Sequence, residues 1–291
     1  MTLANVALLL LLPLTFAVNS ISIRFYQVKI PDASRGMRAF QGAFCLLGAL
    51  LYALAARSMP SISAIILGMA FGVCFFLTLT CSAICYEIGP MSLTAILVNA
   101  SLIWPVLWSI CFWEDMISAR MLAGMILICL TFALSSLGMH SQKNRMGKRW
   151  LLLAMIAFCC NGGSAVLQKS YQRFEPQGEG PCFLLVAYLT AALLFFGDYV
   201  LHRRQDAFLP RKRRGVYLLL VSAAGAGSFA GNFLLQSLCA RIPAGVLYPV
   251  ANGGLCVVTA LASFLLFHER PTRWKICSIV SGVAGIAVLA L

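Results

Sequence analysis

Residues 71–99, FGVCFFLTLTCSAICYEIGPMSLTAILVN, have a counterpart at residues 224–252, AGAGSFAGNFLLQSLCARIPAGVLYPVAN. When the two stretches are aligned, four residues are identical: Gly72, Phe76, Pro90 and Asn99 fall on Gly225, Phe229, Pro243 and Asn252. In each stretch an apolar run ends in a turn that contains proline, and a second apolar run follows. An asparagine lies about two helical turns into that second run. The recurrence predicts an internal repeat.

The composition of the 291-residue chain indicates a membrane protein, since 61% of the residues are hydrophobic and only 11% are charged. That leaves too little polar surface to cover a soluble domain of this size. A helix needs roughly 20 apolar residues to cross a bilayer. The apolar runs predict ten such helices, here called spans 1 to 10, at about 3–23, 37–56, 61–85, 91–112, 119–138, 150–169, 182–200, 215–237, 244–267 and 274–291. The start of the chain has no basic residue and no small-residue cleavage site, which favours a retained first helix over a signal peptide.

Similar features follow one another in the same order in both halves of the chain. Arg24-Phe25-Tyr26-Gln27 at the end of span 1 resembles Lys169-Ser170-Tyr171-Gln172 at the end of span 6. The polar and basic run HSQKNRMGKR separates the halves. We therefore predict a five-helix repeat at 1–138, a linker at 139–149 and a second five-helix repeat at 150–291. Because five is odd, the second copy enters the membrane from the opposite side, so the repeats are inverted.

The net charge of +13 lies in loops between apolar runs. This distribution indicates membrane topology rather than nucleic-acid binding. The loops that follow odd-numbered spans contain seventeen Lys and Arg, and those that follow even-numbered spans contain five. By the positive-inside rule, the odd loops face the cytoplasm and both termini lie outside.

The sequence offers no pattern for metal, cofactor or enzyme chemistry. The 12 cysteines fall in or beside apolar runs, without a CxxC pair or a cysteine–histidine group, and we expect them to act as apolar packing residues. The three histidines lie in loops or at helix ends, and Ser164 has no histidine at matching depth. There is no phosphate-binding GxxxxGK[ST] loop either. We expect neither a metal nor another cofactor, no enzyme activity, and no use of ATP.

These features resemble the drug/metabolite transporter superfamily, specifically its ten-helix EamA-type permeases, over nearly the whole chain. The resemblance rests on two five-helix halves, short turns between spans 3 and 4, and a set of corresponding residues: Arg24 and Lys169, Glu114 and Glu269, Gly124 and Gly282. The family's acidic–proline pair in spans 4 and 9 is absent, although Pro105 matches it in part. The resemblance implies a secondary carrier with a cavity lined by spans 1, 3, 4, 6, 8 and 9. Similar permeases have both termini in the cytoplasm, so the orientation is open between this implication and the charge count.

Polar and aromatic side chains in those spans are the candidate substrate-binding residues. A polar group in hydrocarbon is costly unless it is paired or hydrated, and inverted-repeat carriers place such groups near the midplane. Alternatively, the amides join helices by hydrogen bonds, the aromatic residues form interfacial belts, and Lys169 extends to the interface. An interfacial position is our expectation for Trp113, Trp150 and Trp274. The candidate set is Asn19, Phe76, Tyr86, Asn99, Trp104, Asn161, Lys169, Asn232, Gln236, Tyr248 and Asn252.

Taken together, these patterns predict a secondary transporter that exports a small organic metabolite, such as an amino acid or a related compound, by alternating access. The expected partners are that substrate and the lipid bilayer of a bacterial or archaeal plasma membrane, and the expected assembly is a monomer or a homodimer. Small multidrug exporters that resemble this superfamily have a proton-exchanging glutamate in the middle of their first helix. The middle of span 1 has no acidic residue, so the resemblance argues against proton-coupled export of organic cations. The alternatives are an exporter of multiple amphipathic compounds and a non-transporting membrane subunit.

Overall fold

The computed structural model describes residues 3–30, 33–89, 91–113, 118–137, 147–175, 180–202, 214–267 and 272–290. Within these ranges the chain forms helices and no strands: α1 (Leu3–Lys29), α2 (Ala33–Ala55), α3 (Ile62–Ile88), α4 (Met91–Ala100), α5 (Ile103–Trp113), α6 (Ala119–Leu137), α7 (Lys148–Phe174), α8 (Gly180–Leu201), α9 (Arg214–Cys239), α10 (Ala244–Phe267) and α11 (Arg273–Ala290). Nine stretches in this part of the chain are long and apolar enough to cross a membrane, and α6 contributes a shorter apolar helix. The predicted all-helical membrane fold is confirmed.

Span 4, which we predicted over 91–112, is divided into α4 and α5 at Ser101 and Leu102. Pro105 explains the break: it has no N–H to donate to the carbonyl of Ser101, and its ring would clash with that carbonyl. Tighter turns replace the helical bonds, with the Ser101 N–H donating to Val98 O at 3.3 Å and Trp104 N–H donating to Ser101 O at 3.0 Å. The division places irregular backbone in the middle of a membrane span.

The two halves of the chain pack mainly against each other. The principal helix pairs are α1 with α9, α2 with α8, α3 with α7, and α6 with α11. Exchanging the repeats converts the α3–α7 pair into the α9–α1 pair and leaves the other two pairs unchanged. This is the relation that a two-fold axis between the repeats requires, and it is consistent with inverted repeats. Residues 139–146, most of the linker that we predicted over 139–149, lie outside the described residues, so the repeat boundaries stay predictions.

Contacts between helix termini define the two ends of the bundle. At one end, called the Ser61 end, Ser61 Oγ donates to Glu175 Oε2 at 2.8 Å, so that the start of α3 lies beside the end of α7. At the other end, called the Trp150 end, Arg38 Nε of α2 lies 2.7 Å from Asp198 Oδ2 of α8. Helix termini that flank the odd loops lie at the Trp150 end.

Two glycines, one in α9 and one in α3, allow the repeats to approach closely, because small residues at membrane helix contacts bring the backbones together. A Cβ atom on Gly227 of α9 would lie 2.8 Å from the backbone nitrogen of Asn19 in α1. A Cβ atom on Gly68 of α3 would lie 2.8 Å from the carbonyl oxygen of Phe183 in α8. Both contacts join one repeat to the other.

Candidate functional site

A cavity of about 160 Å³ lies in the middle of the bundle, among α1, α3, α7, α9, α10 and the break between α4 and α5. Phe16, Phe75 and Asn161 line it, and each is the middle residue of a 27-residue helix. A helix of that length spans about 40 Å, so the cavity lies near the bilayer midplane. We call it the central cavity. Its polar lining residues are Ser101, Asn161, Ser164, Gln168, Asn232, Tyr248 and Asn252.

The α7 helix presents a polar stripe to the central cavity. Ser164 lies three residues after Asn161, and Gln168 lies seven residues after it. This spacing places the three side chains on one helical face. Asn161 Nδ2 donates to Val98 O at 3.1 Å and to Ser101 Oγ at 2.6 Å. The broken backbone of span 4 is thereby tied to α7, and one of the carbonyls near the break has a partner.

Gln168, the last residue of the stripe on α7, joins this helix to α9 through polar groups. Gln168, only 1% exposed, donates from Nε2 to the backbone oxygen of Asn232 at 3.3 Å. Asn232 in turn donates from Nδ2 to the Tyr188 hydroxyl at 2.8 Å and to Ser228 O at 3.1 Å. The amide groups on both helices are therefore held in fixed positions.

The α10 helix closes the other side of the cavity. Tyr248 donates its hydroxyl proton to Ala165 O of α7 at 2.8 Å. Asn252 lines the cavity one turn further on, and its side chain forms no hydrogen bond with another residue in the described part of the chain. Its amide can therefore bind a ligand without losing a protein partner.

Four of the residues that we proposed from the sequence line the central cavity: Asn161, Asn232, Tyr248 and Asn252. Others lie elsewhere and bind the backbone or pack against neighbouring helices. Asn19 Nδ2 donates to Ala224 O at 3.0 Å and joins α1 to α9. Asn99 Nδ2 donates to Ala95 O within α4 at 2.8 Å.

Three predicted aromatic residues lie outside the central cavity. The ring of Phe76 packs edge-on against Phe195, with centroids 4.9 Å apart. Trp104 covers Gly162 of α7, and 39% of its surface is exposed. Tyr86, near the Trp150 end, is 37% exposed.

Lys169 and Gln236 lie towards the Ser61 end. Lys169 borders a second cavity of about 310 Å³, which Trp113, Arg173 and Arg241 also line. Its ammonium group lies 3.5 Å from Ile242 O and 5.5 Å from the centre of the Trp113 ring, and the residue is 8% exposed. The Lys169 side chain therefore faces the second cavity. Gln236 Nε2 donates to Gln172 Oε1 at 2.9 Å, also near the Ser61 end of the bundle.

A thin layer of side chains separates the second cavity from the central cavity. Tyr248 lines the central cavity and Cys239 lines the second one. The Tyr248 hydroxyl lies 3.7 Å from Cys239 Sγ. A path from the central cavity to the Ser61 end would pass this contact.

Several lining residues were missing from the set predicted from the sequence: Phe16, Phe71, Phe75, Ser101, Ser164 and Gln168. Gln168 could have been found, because it lies seven residues after Asn161 on the same helical face. Ser101 carries a signal as well, since it precedes Pro105 by four residues.

Trp150 is not the interfacial residue that we expected. It is 3% exposed and donates from Nε1 to Thr94 Oγ1 at 2.9 Å. Trp274, at 50% exposure, has the surface position expected of it. Glu114, Glu269 and Pro90, which also entered the sequence argument, lie outside the described residues.

Comparisons with known proteins identify the family. Residues 148–291 match the model of the EamA-like transporter family. No curated protein matches the chain. Among solved structures 29 chains match, and one, titled only "Crystal structure of protein", has a TM-score of 0.76 over 99% of this chain and 98% of that chain. The two are 12% identical, so this likeness shows the fold alone.

The family match confirms the resemblance that the sequence suggested. Members of the family are membrane transporters and in general are not enzymes. The chain is a multi-pass integral membrane protein that belongs to the EamA-like transporter family of the drug/metabolite transporter superfamily.

Proposed function

We propose that this protein is a secondary transporter that exports a small organic metabolite, such as an amino acid or a related compound, by alternating access. The substrate binds in the central cavity. The observation that carries the proposal is the composition of that cavity: α1 and α3 come from the first repeat and α7, α9 and α10 from the second. A site between inverted repeats can be opened to either side when one repeat rocks against the other.

The break in span 4 supports the same conclusion. Interrupted helices are tolerated at membrane depth where the irregular backbone lines a cavity or is buried in protein, and carriers use such helices at their substrate sites. Here Ser101 and Leu102 are both the break and part of the cavity lining. A non-transporting subunit has no need for this arrangement.

The size of the cavity favours a metabolite over large amphipathic drugs. Pockets for drug-sized ligands have about 300–1,000 Å³, whereas the central cavity has about 160 Å³. We further propose that the protein works in a bacterial or archaeal plasma membrane as a monomer or homodimer.

The test combines a binding screen with flux measurements on the purified full-length protein. Amino acids, nucleosides, sugar phosphates and amphipathic cations are screened for thermal stabilisation, since a ligand at a hundred times its dissociation constant stabilises the folded state by about 2.7 kcal/mol. The stabilising compound is then followed across liposomes in both directions. We expect saturable flux that Asn252→Ala reduces at least tenfold.

Asn99→Ala is the matched control, because the Asn99 amide binds its own helix outside the cavity. We expect it to retain flux close to that of the unmodified protein. Equal losses in both variants, or no saturable flux of any compound, would contradict the proposal.

A further inference from the structure

We infer that the second cavity, at the Ser61 end of the bundle, binds an oxyanion, the carboxylate or phosphate group of a small ligand, beside Arg173 and Arg241. This assignment is independent of the proposed function, which concerns the central cavity. The charges of the lining, the contacts that position them and the lack of protein partners for both guanidinium groups support it.

The described lining of the second cavity contains basic residues and no acidic residue. Lys169, Arg173 and Arg241 are basic, and the other lining residues in this part of the chain are uncharged. Lys169 is only 8% exposed, whereas both arginines are exposed. A cleft lined by charges of one sign concentrates ions of the opposite sign when its walls have a low dielectric constant. The second cavity therefore attracts anions.

Lys169 connects the two arginines. Its ammonium group lies 3.5 Å from the carbonyl oxygen of Ile242, in the turn between α9 and α10, and Arg241 directly precedes Ile242 in that turn. Arg173 lies four residues after Lys169, which makes the two residues neighbours on one face of α7. All three basic side chains border the same cavity of about 310 Å³. The arginines thus approach one space from α7 and from the turn.

Neither guanidinium group has a partner within the protein. Among the residues that the structure describes, the side chains of Arg173 and Arg241 form no hydrogen bond and no ion pair. A guanidinium group has five N–H donors and no acceptor, so its ligand must supply acceptor atoms. Lys169 and Arg173 are also like charges spaced by four residues, an unfavourable arrangement on a helix. A bound anion would offset this repulsion.

An oxyanion of small size matches the donors and the space. The planar guanidinium group pairs with two oxygens of a carboxylate or a phosphate at once, which a halide ion cannot reproduce. The volume of about 310 Å³ is at the lower limit of pockets for drug-sized ligands, about 300–1,000 Å³. Trp113, Ile242 and Pro243 also line the cavity and offer apolar contacts for the rest of a small organic anion.

Calorimetry on the purified protein in an uncharged detergent tests this assignment with three small probes. Methyl phosphate and acetate carry oxyanions, and acetamide is the neutral analogue of acetate. We expect both anions to bind at least tenfold more tightly than acetamide, because a hydrogen bond to a charged group contributes about that factor. The affinity for methyl phosphate should fall as NaCl is added, because salt screens exposed charges.

Arginine variants locate the bound anion. Arg173→Gln and Arg241→Gln each remove one charge, and we expect each to weaken methyl phosphate binding at least tenfold. Their thermal midpoints should stay unchanged, because neither side chain has a partner in the described part of the chain. Arg241→Lys keeps the charge without the planar fork, so its loss should be smaller. Arg120→Gln is the matched control, since Arg120 is exposed at the start of α6 and outside the cavity lining.

A soluble metabolite and a lipid headgroup present the same oxyanion chemistry, and a short-chain lipid separates these two sources. Dihexanoyl phosphatidylglycerol is titrated below its critical micelle concentration. If it binds at least tenfold more tightly than methyl phosphate and loses that affinity in Arg241→Gln, the occupant is a lipid headgroup. If it binds equally or more weakly, the occupant is a soluble anion. Either result supports an oxyanion site.

Three results would overturn the inference. The first is that neither methyl phosphate nor acetate binds more tightly than acetamide. The second is an equal loss in Arg120→Gln and Arg241→Gln, which would mean that only the net charge of the protein matters. The third is unchanged affinity in both Arg173→Gln and Arg241→Gln, as expected of arginines that only stabilise the C-terminal ends of α7 and α9. None of these results bears on flux through the central cavity.

Discussion

Trp150 shows how one side chain joins the repeats at the Trp150 end of the bundle. Its indole nitrogen donates to Thr94 Oγ1 at 2.9 Å, and its ring covers Gly89. We expect Trp150→Phe to lower the free energy of unfolding by about 1–3 kcal/mol, because a buried hydrogen bond is lost. The measurement is the thermal midpoint in detergent. Trp274→Phe, at a position that is 50% exposed, should shift the midpoint much less, and equal shifts would contradict this account.

Individual residues of the polar cavity could be predicted from the sequence only in part. Asn161 and Asn232 could be proposed because an amide in hydrocarbon needs a partner or water. The same argument selected Asn19 and Asn99, whose partners are the backbone oxygens of Ala224 and Ala95. Asn161 and Asn232 also donate to backbone oxygens, so a backbone partner does not distinguish a cavity residue from one that only joins helices. The choice between them depends on which helical face meets the cavity, and that is determined by packing between distant segments.

Gly227 allows the close approach of α9 to α1. A Cβ atom there would lie 2.8 Å from Asn19 N and 2.9 Å from Thr15 O, which are backbone atoms that cannot move independently of α1. We expect Gly227→Ala to destabilise the protein by about 1–3 kcal/mol through overpacking. Gly215 lies in the same helix with no atom within 4 Å of such a Cβ. Gly215→Ala should be neutral or stabilise by up to about 1 kcal/mol, and thermal midpoints that change alike in both variants would contradict the contact.

Helix positions followed from apolar runs, but the interruption of span 4 did not. Pro105 was visible in the sequence, and so was Pro249. The first divides α4 from α5, whereas the second lies inside a continuous α10. Proline removes the same hydrogen bond in each case. At Pro105 the freed region has partners that accommodate it, since Asn161 binds both Val98 O and Ser101 Oγ. Those partners come from the other repeat and are not encoded locally.

Across the whole molecule, the principal helix pairs are related by a two-fold exchange of the repeats. The inversion could be deduced because five helices per repeat force it, and the observed pairs α3–α7 and α1–α9 agree with it. Absolute orientation is a different quantity. It depends on the charges of the loops at the two sides of the membrane, whereas helix packing is the same in either orientation.

The charge distribution yields the last prediction, which concerns orientation. Helix termini that flank the odd loops gather at the Trp150 end, and those loops contain seventeen of the 22 Lys and Arg. Each basic residue near an anionic cytoplasmic surface contributes about 1 kcal/mol, so an excess of this size should place the Trp150 end inside. Gly147, at the Trp150 end, and Met59, at the Ser61 end and 91% exposed, are suitable positions for cysteine. In intact cells a membrane-impermeant maleimide should label Met59→Cys and not Gly147→Cys beyond the background of the parent chain, and permeabilisation should make both react. The opposite labelling pattern would place both termini in the cytoplasm, as in the permeases that this chain resembles, and would mean that loop charge does not determine its insertion.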